Sequence, residues 1–283
     1  MRSSRDGSAG TESDVPVNAP VRTLLRTADG VPIEASYTPG SDPVSQRAIV
    51  VAHGFTGNID RPHVRRVAGV FEQYGAVITF SFRGHGRSGG HSTVGDREVL
   101  DLAAAVQWAR RLGHPRVVTV GFSMGGSVVL RHGALHRMVP GAAHGPEHEE
   151  RTEAHADAVV SVSAPARWFY RGTAPMRKVH WLITRRTGRM VGRWGLRTRI
   201  HGRWWDPVPL SPVEAVPLIA PTPLLIVHGD QDGYFPVDHP RMLAAASGGH
   251  AGLWLEPGMG HAENAATDAL LARIGEWAVT AAG

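Results

Sequence analysis

Residues 117–130 read Val117-Val118-Thr119-Val120-Gly121-Phe122-Ser123-Met124-Gly125-Gly126-Ser127-Val128-Val129-Leu130: a β-branched run, a serine between glycines, and a second apolar run. β-Branched residues favour a strand and the second run is compatible with a helix, so the stretch reads as strand, sharp turn, helix. Gly121 and Gly125 bracket Ser123 in the pattern GxSxG. Lacking Cβ atoms, the two glycines let strand and helix pass close together and hold the serine on a strained turn that pushes its hydroxyl outward. A plain Gly-Ser connection would match the same pattern. The strand before it and the helix after it are the context that a nucleophile requires.

Upstream, Ala48 to Ala52 is a continuous apolar run, the mark of a strand buried on both faces, and it delivers His53-Gly54-Phe55-Thr56-Gly57-Asn58 at its end. Val21 to Thr27 and Val31 to Tyr37 flank Ala28-Asp29-Gly30, and Asp-Gly between β-prone segments predicts a hairpin, expected at the sheet edge. Val64 to Tyr74 suits a helix, Ala76 to Phe80 a strand, 81–90 a glycine-rich turn and Asp96 to Leu112 a helix. Downstream, strands are expected at Ala158 to Val162, Leu224 to His228 and Gly252 to Glu256, with helices at Asp238 to Ser247 and Ala262 to Ala278. This alternation predicts a mostly parallel eight-stranded sheet with helices on both faces, binding ligands beyond the carboxyl ends of its strands.

Composition narrows the chemistry. At 283 residues and 42% hydrophobic, the chain can bury one large core. It has no cysteine, which excludes disulfides, thiolate metal sites and a cysteine nucleophile. Residues 1–20 are rich in Ser, Gly, Asp, Glu and Pro and carry no apolar signal-peptide core, so a disordered leader on a cytoplasmic protein is expected. The core is expected over 21–165 and 221–283, with a small inserted cap over 166–220 that breaks the alternation and carries most of the tryptophans. His144, His148 and His155 lie in a loop without enforced ligand spacing, and a solvated loop explains them better than a metal. No cofactor is called for.

A serine hydroxyl is a poor nucleophile until a base takes its proton, and that base needs an orienting carboxylate. His228-Gly229-Asp230-Gln231-Asp232-Gly233-Tyr234-Phe235-Pro236 follows one downstream strand and Gly258-Met259-Gly260-His261 the next. With HGFTG at 53–57, FRGHGRSGG at 82–90 and GFSMGG at 121–126, the chain closely resembles the α/β-hydrolase superfamily, whose chain order is serine, acid, histidine. The resemblance implies Ser123 as nucleophile, His261 as general base and Asp232, in GxxDxxxP, as the acid, with Asp230 as fallback. It implies the backbone amides of Phe55 and Met124 as oxyanion donors, and leaves His53 and His85 to shape loops. HGFTGN and FRGHGRSGG look especially like bacterial carboxylesterases of the feruloyl esterase and monoacylglycerol lipase type, although Phe122 stands where those enzymes often have His.

The expectation is therefore a serine hydrolase of carboxylic esters acting on a small-molecule ester, with amide, thioester or carbon–carbon hydrolysis, or a silent binding protein, as alternatives. No nucleic-acid signature accompanies the arginines. Between Arg167 and Arg203 there are eleven basic residues and no Asp or Glu. Arg185, Arg189 and Arg193 recur at helical spacing beside Trp181, Met190 and Trp194, a pattern suited either to a solvated cap or to peripheral contact with an anionic membrane.

Overall fold

A computed structural model describes residues 20–41, 46–138 and 153–283. The strands are β1 (Val21–Arg26), β2 (Pro32–Thr38), β3 (Arg47–Ala52), β4 (Ala76–Phe80), β5 (Arg116–Phe122), β6 (Ala158–Val162), β7 (Leu224–Gly229) and β8 (Ala251–Glu256). The helices are α1 (Pro62–Phe71), α2 (Glu98–Arg111), α3 (Met124–Leu135), α4 (Ala174–Thr184), α5 (Arg186–Gly195), α6 (Pro212–Ala215), α7 (Asp238–Ala246), α8 (Ala262–Ala265) and α9 (Asp268–Ala281). The strands form one eight-stranded sheet in the order β1-β2-β4-β3-β5-β6-β7-β8. β2 pairs antiparallel with β1 and β4, and the remaining pairs are parallel. The Asp-Gly hairpin is at the edge as expected, its turn closed by the Gly30 amide on the Thr27 carbonyl at 2.8 Å with Gly30 at φ 80°.

Strands β3 to β7 are buried on both faces, which explains why they read as unbroken apolar runs. Successive side chains enter opposite cores. Ala48, Val50 and Ala52 of β3 join Leu102 and Val106 of α2 and Val128 to Leu130 of α3. Ile49 and Val51 join Val67 and Phe71 of α1 and Leu271 and Ile274 of α9. From β3 the chain crosses to β4 on one side, and β5 lies on the other, so the order reverses there and opens a crevice beyond their carboxyl ends.

Three features of the helices go beyond the sequence pattern. The closing helix is split: Ala266 is extended, and α9 restarts at Thr267, whose hydroxyl accepts from the Leu270 amide at 3.2 Å. Arg66 of α1 donates to the freed Glu263 and Ala266 carbonyls at 2.7 and 2.8 Å, satisfying acceptors that an unbroken helix would have used. Residues 212–218, within the span expected for the insertion, pack on α3, with Ala215 and Val216 in the main core. The insertion's two longer helices meet at Arg185, an extended residue between α4 and α5. Residues 1–19, with most of the expected leader, and His144 and His148 lie outside the described residues. His155 faces the His136 carbonyl through Nδ1 at 3.2 Å. No helix among the described residues is long and apolar enough to cross a membrane.

Candidate active site

Ser123 sits between β5 and α3 at φ 53° and ψ −113°, a backbone conformation that costs an L-residue on the order of 1–3 kcal/mol unless its surroundings impose it. The surroundings do so. A Cβ on Gly121 would overlap the Gly125 carbonyl oxygen, and one on Gly125 would overlap the Ala52 carbonyl oxygen at the end of β3. Both glycines of the pattern are thus required by backbone-to-backbone approach. The Ser123 amide donates to Val162 O at 2.9 Å, pinning the turn to β6.

The Ser123 hydroxyl points at His261, whose Nε2 lies 2.9 Å from Oγ, and His261 Nδ1 lies 2.8 Å from Asp232 Oδ2. A carboxylate only accepts, so Nδ1 carries the ring proton and Nε2 is left to accept from the hydroxyl. Burial pushes the Asp232 carboxyl up, but the His261 bond and charge and the Phe235 and Tyr234 amides outweigh it and hold Asp232 below its ordinary value. Those amides reach Asp232 Oδ1 at 3.1 and 2.8 Å. The same turn walls the imidazole, with the Tyr234 ring stacked on it at 4.2 Å. His228 Nε2 faces the Phe235 carbonyl at 2.8 Å and lies 3.6 Å from Asp232 Oδ2, the oxygen that also faces His261.

Asp230, the fallback acid, is exposed and accepts from the Gly258 amide at 2.7 Å, so it staples two loops together away from the imidazole. Asp232→Asn is expected to lower ester turnover by roughly 10⁴-fold, because the amide cannot hold the productive tautomer. Asp230→Asn is expected to stay within a few-fold of the parent. Steady-state kinetics on the two variants separates the roles, and a larger loss in Asp230→Asn would reverse the assignment.

The loops around the hydroxyl are held by the other conspicuous histidines. His53 Nδ1 donates to Gly54 O at 2.7 Å and its Nε2 accepts from the Phe82 amide at 3.1 Å. His85 Nδ1 donates to Arg83 O at 3.0 Å and its Nε2 accepts from the Thr56 amide at 3.2 Å. Each ring is therefore fixed neutral, clamping the 53–57 loop to the 82–90 turn. Burial above all pushes His53 down to about 3 and His85 down to about 4. A depressed histidine contributes stability above its unfolded pKa of about 6.5 that is withdrawn as pH falls toward the folded values. Melting temperature is thus expected to drop on acidification from about pH 6.5, and less so in a His85→Gln variant. Arg83, itself buried, anchors the turn by bonding Asp101 of α2 and Asp29 of the hairpin at 2.8 to 2.9 Å.

Ser123, Phe55, Met124 and His261 all line a cavity of about 600 Å³. Its far walls come from the insertion, chiefly Trp168, Phe169, Val179, Leu182, Ile200 and Trp205. Trp205 Nε1 donates to Thr93 O at 2.7 Å and Trp168 packs on Trp205 at 5.0 Å, which docks the insertion on the sheet's carboxyl end. Sequence reasoning missed Glu263, a buried carboxylate two residues past His261 that accepts from the Gly54 amide at 2.9 Å. Its bond joins segments 209 residues apart, so no local signal announces it.

A serine on a strand-to-helix elbow, aligned with a histidine and a carboxylate from later strand ends, is the arrangement of a serine-type α/β hydrolase. The chain belongs to the alpha/beta hydrolase family, whose sequence profile matches residues 49–273. It is 30% identical over 233 residues to a monoacylglycerol lipase of Mycolicibacterium smegmatis, the match covering 73% of this chain and 77% of that protein. Its fold is similar to that of the Pyrococcus furiosus esterase Pf2001, with TM-score 0.70, 21% identity and full coverage of both chains. It is also similar to Est1E of Butyrivibrio proteoclasticus, solved with ferulic acid bound, with TM-score 0.55, 19% identity, and 91% of this chain and 96% of that one covered.

Proposed function

We propose that this protein is a serine hydrolase of carboxylic esters that works through an acyl-enzyme on Ser123. The observation that carries this reading is the hydrogen-bonded line Ser123–His261–Asp232, 2.9 and 2.8 Å long, opening into an apolar cavity. Ser123 Oγ attacks the ester carbonyl carbon as its proton passes to His261 Nε2. The resulting oxyanion is met by the Phe55 and Met124 amides, donors of a kind that typically contribute about 3 kcal/mol each. Collapse breaks the carbon–oxygen bond, and the leaving alkoxide takes the proton from Nε2. Water, deprotonated by the same nitrogen, then releases the carboxylic acid.

The segment over Trp168 to Trp205 acts as the cap in this proposal and takes an apolar acyl group, in keeping with its aromatic and aliphatic walls. Initial rates on p-nitrophenyl esters from acetyl to palmitoyl, with feruloyl and glyceryl esters beside them, test the reading. Turnover of at least one series above the Ser123→Ala background is expected, and none on any ester would refute it.

Peripheral contact with an anionic membrane is a further part of the proposal. Trp181, Met190 and Trp194 are exposed, Trp194 at 75%, beside the arginines of α5. Co-sedimentation with anionic vesicles that fades as salt rises is expected, with no comparable binding to neutral vesicles. Equal binding to both, or none, would leave the segment as a plain substrate lid.

A further inference from the structure

The arginines of the insertion fall into a pattern that differs from their sequence spacing. Arg185 is the extended joint before α5, so the stripe along a single helix is Arg186, Arg189 and Arg193, at i, i+3 and i+7. α5 turns its glycines inward: a Cβ on Gly188 would crowd the Trp181 carbonyl and Leu182, and one on Gly192 would crowd Ile200. Beyond α5 the chain lays Ile200 beside Ser92 as a parallel bridge, with the Ser92 amide on Arg199 O at 2.7 Å and the His201 amide on Ser92 O at 2.8 Å. That bridge carries Arg199 and His91 to the arginine stripe. The five side chains, with Met190 and Ile200, line a second cavity of about 180 Å³.

Among the described residues, the wall of this cavity has four guanidiniums and no carboxylate. The protein treats its buried arginines otherwise, pairing Arg83 with Asp29 and Asp101, and Arg131 with Asp96. Here the half-buried Arg189 and Arg199 are held by carbonyls, which fixes their positions without cancelling charge, while Arg186 and Arg193 are exposed, with Arg193 over the Trp194 ring at 5.2 Å. Arg189 donates to Ile183 O and Thr184 O, and Arg199 to Gly90 O and Ser88 O. Burial first, and then the charges of Arg199, His201 and Arg193, hold the His91 imidazole below its ordinary value, a sign of the local positive field. Like charges gathered on a concave wall concentrate anions, and the planar guanidinium fork matches phosphate oxygens two at a time. The volume is well below the roughly 300–1,000 Å³ of whole-ligand pockets, so it suits a headgroup and a short stem.

We propose that this cavity binds a phosphate-bearing group, free or on a lipid, through Arg186, Arg189, Arg193 and Arg199. The site is separate from the hydroxyl of Ser123, although Arg189 and Ile200 line both cavities. It does not depend on which bond the enzyme cleaves.

Titration calorimetry on the full chain carrying Ser123→Ala, at constant ionic strength in chloride, tests it with inorganic phosphate, glycerol phosphate and a short-chain phosphatidic acid. Saturable one-site binding is expected, weakened about tenfold or more by the pair Arg186→Gln and Arg193→Gln. The pair Arg177→Gln and Lys178→Gln on α4 removes the same charge and is expected to leave affinity within about twofold. Thermal melts establish that both double variants are folded, and the first, made with Ser123 intact, is expected to keep parental turnover of a short soluble ester. Tighter binding of phosphatidic acid than of glycerol phosphate would make the ligand a lipid headgroup, and equal binding a free phosphate ester; either supports the site. Absence of saturable binding at millimolar phosphate compound, or equal loss in the two double variants, would overturn it.

Discussion

Replacing Ser123 or His261 by alanine is expected to lower turnover of a soluble p-nitrophenyl ester by roughly 10⁴- to 10⁶-fold, with the double variant no worse than the singles. The size follows from the geometry. With Oγ 2.9 Å from Nε2, the hydroxyl has one base within reach among the described residues, and Nδ1 is already committed to Asp232. In the proposed mechanism, removing the serine removes the atom that becomes acylated, and removing the histidine leaves a hydroxyl that water alone must deprotonate. Because both act in the same step, the losses overlap instead of adding. Steady-state kinetics, with circular dichroism to establish folding, checks this; a loss below about tenfold in either single variant would contradict it.

Gly125→Ala is expected to be nearly as damaging by a different route. The new methyl would overlap the Ala52 carbonyl oxygen and crowd that of His53, so β3 and α3 must separate at the point where Phe55 and Ser123 are positioned. Backbone cannot yield as a flexible side chain can, and a loss of about 4 kcal/mol or more is expected. Gly69 on α1 supplies the contrast, since among the described residues nothing beyond its own helix backbone lies within 4 Å of a Cβ built there. Gly69→Ala is expected to be neutral or to stabilise by up to about 1 kcal/mol, as alanine suits a helix interior better. Chemical denaturation of the three proteins measures both effects, and an unchanged midpoint in Gly125→Ala would refute the close approach.

The parts of the molecule legible in the sequence are those whose cause is local. Continuous apolar runs marked β3 to β7 because both of their faces are covered, and the Asp-Gly turn marked the edge hairpin. The elbow was legible because Gly121 answers to a contact set by the turn itself, while Gly125, which answers to the end of β3, is marked by the GxSxG pattern. The illegible parts depend on distant partners. The break before α9 had a local sign, Thr267-Asp268 as a helix start, but it is held by Arg66 from α1. The joint at Arg185 exists because Gly188 packs on the end of α4, which no periodicity reveals. The choice of Asp232 over Asp230 was carried by a family pattern; the geometry that supports it is the direction each carboxylate takes within one turn.

The most direct test of the central claim is covalent labelling of the intact protein with a fluorophosphonate, followed by peptide mass spectrometry. One phosphonyl adduct is predicted, on Ser123, present in the parent and in Asp230→Asn and absent from Ser123→Ala. A folded parent protein that takes up no label, or an adduct that persists in Ser123→Ala, would contradict the account.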